Sequence, residues 1–459
     1  MPLFSRAGAP FFPLGGQAHN SSAYNAAEVA SAVAGVRALG GNTLEAPVYW
    51  EQVEPREGRF DFSAVDALFA SCREAGLALV LLWFATWKNG EMRYTPEWVK
   101  QDRRRFRRVL GFDGTELEVL SSYCAATREA DAGAFTALMR HVAAIDPGRD
   151  TLVAVQVENE PGILGSDRDY CDEASRAAAE PVPPELTDYL ERTKNGPVHE
   201  EWRDRGGRRG ESWLETFGLR AHEYREAWSI ARFIDDVARA GRRAMDVPMY
   251  VNAWLSQDSL PVPGTYPSGG PIWRTLEIWK AAAPSLAVIA PDIYVRNQAS
   301  YREVCAQYRR ADNPLFVPES GADDSNAMNM LRAIAEFDAE GYACFGVDGV
   351  LDLQGALRPQ AALFAQSFAA VTAMAPLLTR YRGTGKIHAV VTEEHKGSQH
   401  IELERFFGMV PLAAGARGSS TRTTATLGAA SPGATTPSLA CSWKPGPSSS
   451  TWPGTSTSA

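Results

Sequence analysis

Two apolar runs in this chain end in carboxylates. Val153, Ala154, Val155 and Val157 read as a buried strand that leads into Glu158, Asn159 and Glu160 and stops at the Pro161-Gly162 turn. Far along the chain, Leu315, Phe316 and Val317 form a second such run, ending at Glu319 just before Gly321. Removing a carboxylate from water is costly, so these positions need an explanation. Two carboxyl groups facing each other across one pocket suit acetal hydrolysis. One must be protonated to donate to the leaving oxygen; the other must be ionised to attack or to activate water. Mutual repulsion raises one of the two pKa values, which supplies an acid at neutral pH. A single strand-end glutamate is more often an ion-pair partner. The pair, one member of it preceded by an asparagine, points to catalysis. Glu158 rivals Glu160, because strand alternation puts both on one face and periodicity does not choose between them.

The elements that must position these groups alternate regularly. A short strand ends in "PLGGQAHN", and Asn25 then reads as an N-cap with Glu28 closing a capping box. The following helix stops at Gly40-Gly41. Strands follow at 42–50 and 77–84, with a helix over 62–75 between them and another over 132–145 before the strand that carries Glu160. Later apolar strands are "VPMYVNAW" (247–254), "LAVIAPDIY" (286–294), "LFVPESG" (315–321) and "ACFGVDGV" (343–350), and a last helix spans 361–381. Eight strands, mostly followed by helices, predict an α/β fold of the (β/α)8 TIM-barrel type rather than an open doubly wound sheet. No GxGxxG loop follows any strand. In such barrels the C-terminal strand ends face the open mouth, so Glu160 on strand four and Glu319 on strand seven should converge.

At these residues the chain resembles a known group. "QVENEPG" is similar to the Asn-Glu-Pro signature of retaining glycoside hydrolases of the large barrel clan. "NTLEAPVYWEQVEPREGRFDF" (42–62) resembles the strand-two region of glycoside hydrolase families 35 and 42, the β-galactosidases. "LVLLWFATWKNG", "PMYVNAWL", "YPSGGP", "APDIY" and "NPLFVPE" are similar, in order, to a bacterial branch of family 35 whose members carry a β-rich domain after the barrel. Pro161, after the acid/base position, follows the wider clan, whereas the branch often has an apolar residue there. The resemblance implies Glu160 as acid/base and Glu319 as nucleophile, acting by double displacement on terminal β-D-galactosides. It implies that Asn159 meets the sugar 2-hydroxyl and that Tyr294 donates to the nucleophile. It further implies that Glu45, His19 and Asn252 bind sugar hydroxyls and that Trp254 or Trp50 forms an apolar wall. Trp50 and Trp254 are equally compatible with core positions, and His19 with a packing role. Alternatives are another β-glycosidase of the clan, a β-glucosidase or an arabinopyranosidase, or a sugar-binding barrel without turnover.

Composition bounds the rest. With 459 residues, 45% of them apolar, the chain can build one large domain and a smaller one. A net charge of −9 argues against nucleic acid as partner, and the arginine clusters at 103–108 and 203–210 read as solvated loops. Six cysteines show no metal spacing, so neither a metal nor a cofactor is expected. "APFFPLGG" is too short and too rich in Pro and Gly for a secretory signal, and no long apolar run follows. The expectation is a soluble, cytoplasmic protein whose partner is a β-galactoside, with no membrane contact; a homo-oligomer is compatible with this. The domains expected are a catalytic barrel over 1–383, with an insertion at 164–245, a partial β-rich domain over 384–404, and a low-complexity tail over 405–459. That tail holds no Asp or Glu after Glu404 and is expected to be disordered or out of frame. Strands starting near Lys386 are expected to lack partners.

Overall fold

The computed structural model describes residues 3–256 and 261–391, with strands at 399–403, 406–410 and 425–429. Eight parallel strands form the barrel: β1 (Leu14–Gln17), β2 (Thr43–Tyr49), β3 (Ala78–Lys88), β4 (Leu152–Asn159), β5 (Met249–Ala253), β6 (Val288–Ile293), β7 (Glu319–Ser320) and β8 (Tyr342–Phe345). Consecutive strands pair, β8 pairs with β1, and a bridge between Val317 and Tyr342 joins β7 to β8 and closes the ring. β7 is short because Pro318 has no N–H to give to a ladder. β3 runs four residues past the expected end at Phe84, so its polar tip, Lys88, reaches the mouth.

The outer layer is helical: α1 (Ala26–Leu39), α2 (Ser63–Ala75), α3 (Ala125–Ile145), α4 (Ala221–Arg242), α5 (Leu276–Ala282), α6 (Gln298–Tyr308), α7 (Asp324–Glu336) and α8 (Ala362–Ala373). Asn25 caps α1, accepting from the N–H groups of Ala27 and Glu28, and Gly40 ends it at φ +76°. The Glu28 carboxylate returns to the Tyr24 N–H at 2.7 Å. The single last helix expected over 361–381 is two, broken at Met374, with Pro376 in the first turn of the second, Ala375–Tyr381. Four short helices between residues 172 and 217 precede α4, which packs against α3 as a helix of the barrel ring. The insertion proper is therefore shorter than 164–245.

Beyond the barrel, Ile387–Val391 pairs antiparallel with Ala425–Ala429, and Gln399–Leu403 pairs with Phe406–Val410. The strands expected to stay single thus have partners. The rest of the 405–459 tail lies outside the described residues.

The end of β4 breaks the strand alternation. Glu158 has φ +63° and Glu160 φ +44°, both in the left-handed region that costs a non-glycine residue free energy. The two glutamates consequently part company. Glu158 turns away from the mouth and meets Asp131 of α3. Its Oε2 accepts from the Trp87 N–H at 2.7 Å, while its Oε1 has no donor among the described residues. Asp131 accepts from Trp83 Nε1 at 2.9 Å and Thr86 Oγ1 at 2.5 Å. Both carboxyls are fully buried, so a proton shared between them is the favourable state. Burial, and then the charge of Asp131, hold Glu158 well above the usual carboxylate range.

Two predictions follow from this packing. Gly35 lies inside α1 with its Cα side against β8's following turn, where a Cβ would meet the Val347 carbonyl oxygen at 2.0 Å. Helix propensity alone would make Gly35→Ala a gain of about 1 kcal/mol, but the close approach makes it a loss of about 1–3 kcal/mol in urea unfolding. For Glu158, a folded-state pKa above the unfolded one means that its contribution to stability is complete at low pH. That contribution is lost as pH rises through the folded value. Glu158→Gln does not titrate, so its stability relative to the native protein should rise between pH 5 and pH 8. A constant difference in unfolding midpoint across that range would rule out the shared proton.

Candidate active site

Glu160 is delivered to the mouth by the same turn that removes Glu158. Its backbone N–H donates to Asn252 Oδ1 at 2.8 Å, and its carbonyl accepts from the Gly90 N–H at 3.0 Å. These bonds hold a backbone conformation that would otherwise relax. Glu319 arrives from β7, in register with Asp292 at the end of β6. One carboxylate oxygen from each of Glu160, Asp292 and Glu319 lies within 4.8 Å of the other two. Strand positions far apart in the sequence thus converge on one pocket, as their common place at C-terminal strand ends requires.

The groups around Glu319 are donors. Tyr294 Oη donates to Oε1 at 2.5 Å and Gln17 Nε2 donates to Oε2 at 3.0 Å. Burial, and then the charge of Glu319, push the Tyr294 phenol up, so it remains a donor. Glu160 is in a different setting. Burial, followed by the charge of Glu319, pushes its carboxyl up to about 7, against the pull of Lys88. Asn89 Nδ2 donates to its Oε2. The two carboxyls of one pocket thus have different neighbours: two neutral donors at Glu319, and an amide with a nearby ammonium at Glu160.

Lys88 is buried among these acids. Its Nζ donates to Asn159 Oδ1 at 2.7 Å and to Asn89 Oδ1, and it stands 5.2 Å from the centre of the Phe84 ring. The lysine fixes which way the Asn159 amide points. With Oδ1 engaged, Asn159 Nδ2 is left as a buried donor without a partner among the described residues.

The remaining expected contacts fall in several places. His19, half exposed after β1, pairs with Asp348 at 2.9 Å and sets its ring edge-on to Phe345. The Asp348 hydrogen bond raises its pKa. Trp254, 37% exposed, stands after β5. Trp50, by contrast, is fully buried, with Nε1 on Glu54 and its ring edge-on to Trp98, so it is core and offers no wall. Asn252 uses both ends of its amide on protein groups: Oδ1 holds Glu160, and Nδ2 donates to Asp292 Oδ2 at 2.7 Å. Glu45 is 1% exposed and lies against Tyr250, whose Oη is 3.3 Å from its Oε2. It stands in register with Gln17, which donates to Glu319, and the charge of Glu319 acts on it.

Asp292, Lys88, Asn89 and Gln17 were not anticipated. Asp292 was discoverable, since it stands two residues before Tyr294 in "APDIY" and period two places both on one face. The polar tips of "LGGQ" and "TWKNG" carried the same signal more weakly.

Comparison with known proteins agrees with this architecture. The β-galactosidase of Xanthomonas manihotis is 32% identical over 146 residues, a stretch covering 29% of this chain and 21% of that protein. The chain thus matches about a fifth of the length of this curated relative. Among solved structures, the β-amylase catalytic domain from Paenibacillus polymyxa superposes with TM-score 0.57 at 12% identity, covering 78% of this chain and 97% of that one. The β-galactosidase from Rahnella sp. R3 superposes with TM-score 0.54 at 16% identity, covering 82% and 58%. At such identities these structures share the barrel fold. Among the described residues no helix is long and apolar enough to cross a membrane. The family described as "Glycosyl hydrolases family 35" matches residues 3–237, just over half of the sequence, and the chain belongs to that family.

Proposed function

We propose that this protein is a retaining β-glycosidase that removes terminal β-D-galactosyl groups. The observation that carries the proposal is the convergence of Glu160 and Glu319, one oxygen of each lying within 4.8 Å of one of the other. So close an approach suits the retaining class, with carboxyls roughly 5–5.5 Å apart, better than the inverting class, which leaves about 6.5–9.5 Å for a water. Glu319 attacks the anomeric carbon as the bond to the leaving oxygen breaks, and Glu160 gives that oxygen its proton. A glycosyl ester on Glu319 results. Glu160, now a carboxylate, takes a proton from water as the water displaces Glu319. Asn159 Nδ2, left unpartnered by the Lys88 contact, is placed to donate to the 2-hydroxyl, a bond that strengthens in the transition state. Trp254 supplies the apolar wall and His19 a polar contact. The choice of galactose rests on the family resemblance and on the names of the similar β-galactosidases.

A panel of nitrophenyl β-glycosides tests the substrate directly: hydrolysis fastest on the galactoside supports the proposal, and no hydrolysis of any member ends it. Removing the acid should cost about 10²–10⁴ in rate on an alkyl galactoside and far less on a dinitrophenyl one. Equal losses for Glu160→Ala on both would remove Glu160 from that role. Because the acid must carry its proton, kcat/KM should fall as pH rises through about 7, the value to which burial and Glu319 push Glu160.

A further inference from the structure

The third carboxyl of the pocket has no place in the two-carboxylate reaction. Asp292 is 2% exposed at the end of β6. Its Oδ2 accepts from Asn252 Nδ2 at 2.7 Å, and Asn252 Oδ1 in turn holds the Glu160 N–H, so one amide straps the two acids together. Its Oδ1 is buried, and no N–H or O–H among the described residues reaches it. One oxygen of Asp292 and one of Glu160 lie within 4.8 Å of each other. Two carboxyl groups brought this close out of water are most stable when at least one of them keeps its proton. Glu160 has stabilisers for its ionised form, Asn89 Nδ2 on Oε2 and the Lys88 cation close by. Asp292 has the single amide.

We propose that Asp292 is a positioning residue: it stays a neutral carboxylic acid throughout the reaction and donates a hydrogen bond to a Glu160 oxygen, both when Glu160 carries its own catalytic proton and when it has given it up. The inference rests on Glu160 being the acid/base. It gives Glu160 a fixed donor in the half-reaction where it must act as a carboxylate, while the catalytic proton that Glu160 carries in the other half-reaction is a second, separate one. The titratable and charged groups facing Asp292 are Glu160 just past β4, Glu319 on β7, Lys88 on β3, Tyr294 just past β6, Tyr250 on β5 and Tyr308 on α6. Burial first, then the charges of Glu319 and Glu160, hold Asp292 well above the usual carboxylate range. Lys88 is the one cation of this set and acts in the opposite direction.

The test is Asp292→Asn, which keeps a neutral donor at the same place. The basic limb of kcat/KM against pH, read with a nitrophenyl galactoside, should stay where the native enzyme has it. If Asp292 were a charged carboxylate, removing that charge would lower the Glu160 pKa, and the limb would move down by about one unit; that shift overturns the proposal. The second readout is the infrared carbonyl band of protonated carboxyl groups, in protein whose aspartate is labelled at the side-chain carboxyl carbon. At pH 8 the isotope-shifted band should lose one component in Asp292→Asn, and an unchanged band overturns the proposal. Should this variant not fold, Asp131→Asn isolates the Asp292 band, which must persist at pH 8. Absence of turnover by the native enzyme would defeat the glycosidase assignment, while the infrared band still decides where the proton is.

Discussion

Three carboxyl groups with oxygens inside 4.8 Å of one another cannot all be charged in a buried pocket. The structure meets this constraint with few resources. One ammonium, Lys88, stands among them; a phenol and an amide, Tyr294 and Gln17, donate to Glu319; and burial, with the charges of its two acidic neighbours, holds Asp292 well above the usual carboxylate range. The distribution is unequal, and the inequality is what makes the site chemically useful. Glu319 collects neutral donors, while Glu160 is pushed up to about 7, where it can both give and take a proton. Symmetrical partners would have left two acids of similar strength and no division of labour.

The barrel imposes the convergence and the β4 turn selects the participant. Parallel strands around a closed ring bring their C-terminal ends to one rim. Placing Glu160 there, with Glu158 directed outward to Asp131, requires two non-glycine residues at positive φ within three positions. Such strain costs of order 1–3 kcal/mol per residue. It is held by bonds from Asn252 and Gly90 and by the Trp87 N–H on Glu158. The two carboxyl pairs, Glu158 with Asp131 and Glu160 with Asp292, lie on opposite sides of one short turn. Each lacks a donor on one oxygen, and each is completed by a proton.

Much of this architecture was legible in the sequence, because a barrel strand buried on both faces leaves a continuous apolar run and a glycine marks many of the breaks. The meeting of Glu160 with Glu319, and of Tyr294 with Glu319, was legible as a placement, since motifs and strand ends coincide there. The Glu158–Glu160 choice was not open to periodicity, which assumes an unbroken pleat, and the positive φ at both residues breaks it. Trp50 could not be told from a platform by type, since an indole suits a core and a sugar face equally. Asn252 was found as a polar strand-end residue, but whether its amide holds a ligand or a backbone depends on which neighbours arrive from β4 and β6. Asp292 went unnoticed because a lone aspartate inside "VIAPDIY" looks like a strand terminus; its two acidic neighbours come from elements far away in the chain.

The most direct measurement of the central claim is covalent. A 2-deoxy-2-fluoro-β-galactosyl fluoride has a good leaving group and a slowed second step, so a retaining enzyme that accepts galactose should accumulate its glycosyl ester. Mass spectrometry of the digested protein should then find the added fluorosugar on the peptide containing Glu319. A label on the Glu160 peptide, or hydrolysis of galactosides by a protein that never labels, would contradict the account.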